Sequence, residues 1–231
     1  MIDKVTTINN ALKGVIDDQI VMVGGFGVPG TPFLLIESLL RLNISGLTLI
    51  KNEANEAGLG ISRLLEEGRV KRLITSHLGL NSTVIGMMNK GEVDVNFFPQ
   101  GILAEKIRAG GAGLLAIVTD IGINTILRQD KQIIKLETGE GLVELALRAD
   151  IAFIHAAKAD RAGNLVYEKS ARNFNPLMAT AADLVIAEAE VIVETGEIPP
   201  DQIHTPGAFV DHVIKIEELL PDYGVLKHHV R

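Results

Sequence analysis

Cysteine and tryptophan are absent from the 231 residues, and aromatic side chains make up only 4% of them. Without a thiol there can be no disulfide, thiolate metal site, iron–sulfur cluster or cysteine nucleophile, so any covalent chemistry rests on oxygen or nitrogen. Basic charge is also scarce: 22 Lys and Arg stand against 29 Asp and Glu, a net charge of −7. With a pI near 5.4, nucleic acid is disfavoured as the main partner, since that binding needs a basic face to neutralise phosphates. A long apolar run is missing too. The longest uncharged stretch, Gln19 to Ile36, is interrupted by Gly24, Gly25, Gly27, Pro29, Gly30 and Pro32 and is too broken to span a bilayer. Met1 to Lys13 lack the apolar segment of a signal peptide, which points to the cytoplasm. Glycosylation-type triplets at Asn43 and Asn81 therefore carry no weight.

What the chain does contain is ordinary for a globular domain, with 47% apolar and 22% charged residues. No linker, low-complexity segment or fixed-period repeat divides it, so one domain over residues 1–216 is expected, followed by a loosely held tail over 217–231. Short apolar runs alternate with helix-period segments. Ile20–Val23, Leu47–Ile50, Leu73–Thr75, Val93–Phe98, Leu115–Val118 and Ile151–Ala156 have the pattern of parallel strands covered on both faces. After the first run, Thr31 is placed to cap a helix and Pro32 to begin it, with Phe33, Ile36, Leu39 and Leu40 on one face. Helical segments recur at Ile61–Glu67, Thr83–Asn89 and Ile102–Arg108. Strands at Gln132–Leu136, Leu165–Glu168 and Leu184–Val193 are less regular, so the sequence predicts a single open α/β sheet, mostly parallel but mixed, flanked by helices.

Gly25-Phe26-Gly27-Val28-Pro29-Gly30 satisfies G-x-G-x-x-G between a strand and a helix, which admits a nicotinamide-dependent oxidoreductase. Two details oppose it: the helix-start signals follow the glycine run, and Pro29 removes one amide from the cradle. Another ligand loop and a structural turn both remain open at this point.

Ligands of open α/β sheets sit at the carboxyl ends of the strands, where this sequence places Asn52, Glu53, Ser76, His77 and Gln100. Asn52 and Gln100 can orient a carbonyl or carboxylate without changing protonation state, or close loops onto backbone. Ser76 and His77, as neighbours in a strand, would point to opposite faces and not form a pair. Glu53 and Glu56 have the chemistry of nucleophiles but suit solvated loop positions better, and His155 suits a satisfied core histidine rather than a catalyst. No metal-ligand spacing is present; His228 and His229 lie in the tail. Gly110, Gly111 and Gly113 exceed the needs of a helix cap and suggest close approach to a ligand or partner. Asn175 and Pro176 can start a helix over Leu177–Ala182, and Arg172 can meet an anion or a structural carboxylate.

Together, five ordered segments resemble the α (A) subunit of the class I CoA-transferases, the acetate/butyrate–acetoacetate type within the 3-oxoacid CoA-transferase family. They are Val23 to Gly27 with Gly30 and Pro32, Pro99-Gln100-Gly101, Ile107 to Gly113, Ala159 to Asn164, and Ser170 to Asn175. The resemblance runs from about Val5 to Ile216 and implies a CoA-transferase/NagB-like fold. It also implies ping-pong transfer of CoA from an acyl-CoA, of the acetyl-CoA or succinyl-CoA type, to a short-chain fatty or 3-oxo acid through a glutamyl-CoA thioester. The nucleophilic glutamate of the family lies in a Glu-Asn-Gly motif of the β subunit, and that tripeptide does not occur here. The chain is therefore expected to be catalytically inactive alone and to work in an α2β2 or larger hetero-oligomer. Coenzyme A enters as part of a substrate, with no tightly bound cofactor and no metal. By the same resemblance Gly24, Gly25, Phe26, Gly27, Val28, Pro29 and Gly30 bind CoA, and Asn52 and Gln100 line the acyl pocket. Asp120 to Thr125 and Glu53 to Asn55 depart from the family pattern and could reshape that pocket. A non-catalytic ligand-binding module of the same fold is the third reading.

Overall fold

The computed structural model describes residues 2–79 and 81–225. In chain order the elements are α1 (Ile8–Ala11), β1 (Ile20–Val23), α2 (Phe33–Arg41), β2 (Leu47–Ile50), α3 (Ile61–Glu66), β3 (Val70–Thr75), α4 (Ser82–Asn89), β4 (Asp94–Phe97) and α5 (Gln100–Gly111). They continue with β5 (Ala116–Thr119), β6 (Ile133–Leu136), β7 (Gly139–Leu145), β8 (Ala149–Asp160), β9 (Leu165–Val166), α6 (Asn175–Thr180), β10 (Ala182–Val193) and β11 (His212–Lys215). The main sheet runs β11-β10-β8-β1-β2-β3-β4 with every neighbour parallel, and β9 adds an antiparallel pairing to β8. The mostly parallel sheet flanked by helices expected from the sequence is thus present.

Strand alternation splits the core into two layers. Val21, Val23, Leu49, Leu73 and Phe153 point toward Leu35, Leu39, Leu64 and Val84 of α2, α3 and α4. Met22, Ile50, Ala152 and Ile154 point the other way, toward Leu103 and Ile107 of α5 and Met178 of α6. Both layers are apolar because both faces of the sheet are covered. No helix among the described residues is long and apolar enough to cross a membrane.

Four departures from the sequence reading bear on the fold. First, the sheet is not single: β5 leaves it and forms a three-stranded antiparallel sheet in the order β5-β7-β6. Its apolar run is not doubly covered, and Leu115 is 89% exposed. The second sheet is fastened to α5 by a buried ion pair, Lys106 Nζ to Glu144 Oε2 at 2.8 Å, with Lys131 as a further partner of Glu144. Burial would raise the Glu144 carboxyl, but the two lysines outweigh it and hold it below the ordinary range. Second, β7 and β11 go unrecognised in the sequence, and β9 is shorter than the run Leu165–Glu168. Third, Thr31 does not cap α2; Pro32 occupies the cap position and the Thr31 hydroxyl turns back to the Gly27 carbonyl at 2.7 Å. Fourth, Gly110 and Gly111 serve the chain's own packing. A Cβ at either would overlap the Leu147 carbonyl or Thr180, so the close approach is between α5, α6 and the segment before β8.

Of the expected tail, residues 217–225 are described, and they are not loose throughout. The Tyr223 hydroxyl accepts from the Leu34 amide at 3.2 Å and donates to Glu188, and its ring meets Phe33 edge-on at 5.0 Å. His228 and His229 lie outside the described residues.

Candidate functional site

In the main sheet the chain order runs outward in opposite directions from β1, which has β2 on one side and β8 on the other. A crevice at the carboxyl ends of the strands is expected at such a switch point. The loop Gly24 to Gly30 leaves β1 there. Gly25, Gly27 and Gly30 adopt φ of +100°, +62° and +74°, which L side chains disfavour. At Gly24 and Gly30 a Cβ would also overlap Asn175, so these glycines admit that side chain against the loop.

Beyond the Gly24 amide, which donates to the Phe153 carbonyl at 2.9 Å, the loop is held to its neighbours through its carbonyls. Gly27 O accepts from Thr31 Oγ1 at 2.7 Å and Asn55 Nδ2 at 2.9 Å, Pro29 O from Asn173 Nδ2 at 2.9 Å, and Gly30 O from Asn175 Nδ2 at 3.0 Å. Asn175 is not the cap of α6 that the sequence suggests; it sits inside the helix, with Phe174 at the cap position. Its Oδ1 instead accepts from the His155 amide at 3.2 Å, tying the loop to β8. The amides of Gly27 and Val28 donate to no other described residue. Carbonyls fixed inward and amides left free make a backbone surface suited to oxyanions.

Two buried polar clusters flank this loop. On the β2 side Asn52 is fully buried, and every polar end of its side chain is engaged. Its Nδ2 donates to Glu53 Oε2 at 2.7 Å, and its Oδ1 accepts from Gln100 Nε2 at 2.8 Å and Ser76 Oγ at 3.0 Å. Asn52 and Gln100 are thus brought together from the end of β2 and the start of α5. Glu53 is not a solvated loop residue: its Oε1 accepts from Lys51 Nζ at 2.7 Å, and Lys51 is fully buried. Glu56, further along the same loop, is exposed. Ser76 and His77 do form a contact, Oγ to Nδ1 at 3.1 Å, because β3 ends at Thr75 and strand alternation no longer governs them. A pocket of about 70 Å³ opens between Gly27, Val28, Glu53, Leu59, His77 and Leu78.

On the β8 side His155 is buried, with Nδ1 at 2.8 Å from Glu188 Oε1 and Nε2 at 3.1 Å from Glu190 Oε1. Burial alone would lower its pKa, but hydrogen bonds to the two carboxylates outweigh it and push it up to about 9, so the ring is cationic at neutral pH. Glu188 Oε2 also accepts from the Leu35 amide at 2.9 Å. Together with the Tyr223 contact to Leu34, this satisfies first-turn amides of α2 that no local side chain reaches. Those amides are therefore taken, and α2 begins at Phe33, beyond the glycine run. A dinucleotide pyrophosphate has no free helix terminus here, and the nicotinamide reading is without support. A cavity of about 400 Å³ lies between this cluster and Pro29, Gly30, Lys169 and Ser170.

Arg172 is exposed and makes no ion pair among the described residues. The described residues contain no group of His, Asp and Glu able to hold a metal. Glu188 and Tyr223 border the site without having stood out in the sequence. The signal for the first is visible in the residues, since Glu188 and Glu190 interrupt the apolar run Leu184–Val193 on alternate positions.

Comparison with known proteins adds to this geometry. A family profile described as coenzyme A transferase matches residues 5–216. The alpha chain of the acetate CoA-transferase of Escherichia coli (strain K12) is 46% identical over 215 residues, which is 93% of this chain and 98% of that protein. The corresponding chain of the succinyl-CoA:3-ketoacid coenzyme A transferase of Xanthomonas campestris pv. campestris (strain B100) is 45% identical, covering 88% of this chain and 85% of that one. Among solved structures, an acyl-CoA transferase from E. coli O157:H7 in a thioester complex with CoA superposes with a TM-score of 0.83 at 23% identity. The superposition covers 94% of this chain but only 48% of that one, so this chain spans about half its length.

Proposed function

The chain belongs to the coenzyme A transferase family, and from that premise we propose that it is the α subunit of a two-chain enzyme moving CoA from an acyl-CoA to a short-chain fatty or 3-oxo acid. The observation that carries this reading is near end-to-end similarity to a relative named as an alpha chain, spanning 98% of that protein. The attacking glutamate belongs to a β subunit in this reading; Glu-Asn-Gly does not occur in this chain.

In the proposed cycle a partner glutamate oxygen attacks the thioester carbonyl and the C–S bond breaks, giving an acyl-glutamyl anhydride and CoA thiolate. The thiolate then attacks the glutamyl carbonyl, releasing the first acid as its carboxylate and leaving a glutamyl-CoA thioester. The acceptor acid reverses both steps. A carboxylate is a poor nucleophile, so positioning and stabilisation of the oxyanion supply much of the rate. We assign the first contact with CoA to Gly24, Gly25, Phe26, Gly27, Val28, Pro29 and Gly30, whose free amides at Gly27 and Val28 suit a polarised oxygen. We assign the acyl pocket to Asn52 and Gln100, which meet at 2.8 Å, with the exposed Gln100 reaching the acyl carbonyl and the fully buried Asn52 holding it from behind. Glu53 and Ser76 fix the Asn52 amide in one orientation, so the pair enters the reaction preorganised.

The test is reconstitution with the β subunit. The complex is expected to exchange CoA between acetyl-CoA and butyrate or acetoacetate, while the lone chain does not, and borohydride should trap the glutamyl-CoA thioester on the partner. A complex that exchanges CoA with none of these acids overturns the reading.

A further inference from the structure

We propose that the outer face of the second sheet, β5-β7-β6, is where the β subunit docks, beside the site it completes. The inference rests on the two-chain reading above and adds to it the surface that holds the chains together.

An antiparallel sheet with one face on the core ordinarily turns polar side chains to water on the other. The second sheet does not. Residues paired directly across antiparallel strands share a face, so the register puts Ile117, Leu142 and Glu144 on one side, where Leu142 and Glu144 are buried and Glu144 meets Lys106 of α5. The other side carries Ala116, Val118, Ile134, Leu136, Val143 and Leu145, with Gly139 and Gly141 among them. None of these is polar, and Val118, Leu136 and Leu145 are 44%, 55% and 68% exposed. A contiguous apolar face of this kind marks a protein contact. It also offers a socket. A hollow of about 270 Å³ lies at Gly139 and Gly141, walled by Val118 and Leu136, with Asp120 at its border.

Position and charge select the occupant. α5 begins with Gln100 at the site, and β5 turns back along it. Lys106 Nζ, which fastens the second sheet through Glu144, lies 4.1 Å from the centre of the Phe98 ring, two residues before Gln100. The pairing of β5 ends at Thr119 opposite Leu142, while β6 and β7 continue to Leu136 and Gly139. The hairpin therefore overhangs toward the end of the main sheet that carries the glycine loop and Gln100. In the transferase reading the attacking glutamate reaches that end on another chain, so the chain that brings it has this apolar face beside it. At the rim, Asp120 and Glu137 are exposed and make no ion pair among the described residues. A second copy of this chain would bring the same uncompensated carboxylates, whereas a partner with Lys or Arg around an apolar knob would neutralise them.

The test uses the complex with the β subunit, its affinity read by analytical ultracentrifugation. Leu136→Glu and Leu145→Glu are each expected to weaken binding by at least about thirtyfold, the scale of a hot-spot loss. Both positions are exposed, so the lone variants should unfold at the same midpoint as the unaltered chain. Asp120→Asn should weaken binding by about threefold, the scale of a surface ion pair, and reduce its dependence on salt. Ile16→Glu, also at an exposed apolar residue but ahead of β1 at the opposite end of the sheet, should leave affinity unchanged. Unchanged affinity in both sheet variants overturns the proposal, as does an equal loss in Ile16→Glu. So does a lone chain that dimerises through this face while its affinity for the β subunit ignores Leu136→Glu. A complex that forms as described but moves no CoA overturns the transferase reading alone, and failure of the unaltered chains to associate overturns the two-chain reading and this inference with it.

Discussion

Glu53 and Glu188 are two buried carboxylates on opposite sides of one glycine loop, and they differ in what surrounds them. Glu188 is wrapped by His155, Tyr223 and the Leu35 amide and has no exposed surface. Glu53 holds Lys51 and Asn52 with its two oxygens yet still borders an open pocket. The contrast teaches how to weigh a buried charge. Where partners close around a carboxylate from three elements, its role is to join those elements; where one edge stays on a cavity, the charge also faces whatever enters. Glu188 joins β10, β8 and the start of α2, while Glu53 stands between the ion pair and the pocket.

The largest expected effect breaks the closed side. Glu188→Ala removes the counter-charge of a cationic buried histidine and the acceptor for an α2 amide, and should cost about 3–5 kcal/mol in denaturant unfolding. A cost below about 1 kcal/mol would place Glu188 with surface ion pairs instead. Next comes pH. The His155 pKa is raised in the fold, so its contribution is complete below the unfolded value of 6.5 and is lost as pH rises toward about 9. Over that window unfolding free energy should fall by up to about 3 kcal/mol, and the fall should shrink in Glu188→Ala. A flat profile from neutral to alkaline pH would contradict a cationic His155.

On the open side, Glu53→Gln leaves the fully buried Lys51 without its counter-charge but with an amide oxygen to donate to, and should cost about 3 kcal/mol, the lower end of the range for Glu188→Ala. If its cost equals that of Glu188→Ala, the distinction between the two clusters fails. The smallest effect is expected within the loop. Gly27 has φ of +62° but its nearest obstacle to a Cβ is Pro29 Cδ at 3.9 Å. Gly27→Ala should therefore lose only the left-handed strain of about 1–2 kcal/mol, with a larger loss in KM for acyl-CoA, measured in the reconstituted complex.

Much of this architecture is legible in the residues. β1 and β2 coincide with the apolar runs Ile20–Val23 and Leu47–Ile50, since a doubly buried parallel strand has no alternation to blur its ends. The same signal misplaces β5: Leu115 to Val118 has the composition of a covered strand, but an apolar run does not say which sheet, if any, covers it. β7 hides because Gly139, Glu140, Gly141 and Glu144 dilute its apolar pattern, and the buried role of Glu144 depends on Lys106 in another element. At the site, Asn52 and Gln100 stand out as strand-end hydrogen bonders, and their meeting is a tertiary fact about β2 and α5. Glu53 is missed for a comparable reason. A carboxylate in a polar loop is solvated unless something buried needs it, and Lys51, adjacent but one, is that need. Thr31 and Asn175 have the residue types of helix caps, yet both side chains are spent on the glycine loop, where the backbone carbonyls compete for them more closely than the helix ends do.

The loop after β1 has a temporal consequence during synthesis. Its shape depends on Phe153, Asn173 and Asn175, whose bonds to Gly24, Pro29 and Gly30 span well over a hundred residues of chain. Such distant closures raise contact order and come late in folding. As the ribosome delivers the chain from its amino end, β1 to β4 can pair with one another while the loop they present is still without its ties. The loop after β1 is made before the segments that tie it, so a nascent chain lacking α6 would not hold its finished shape.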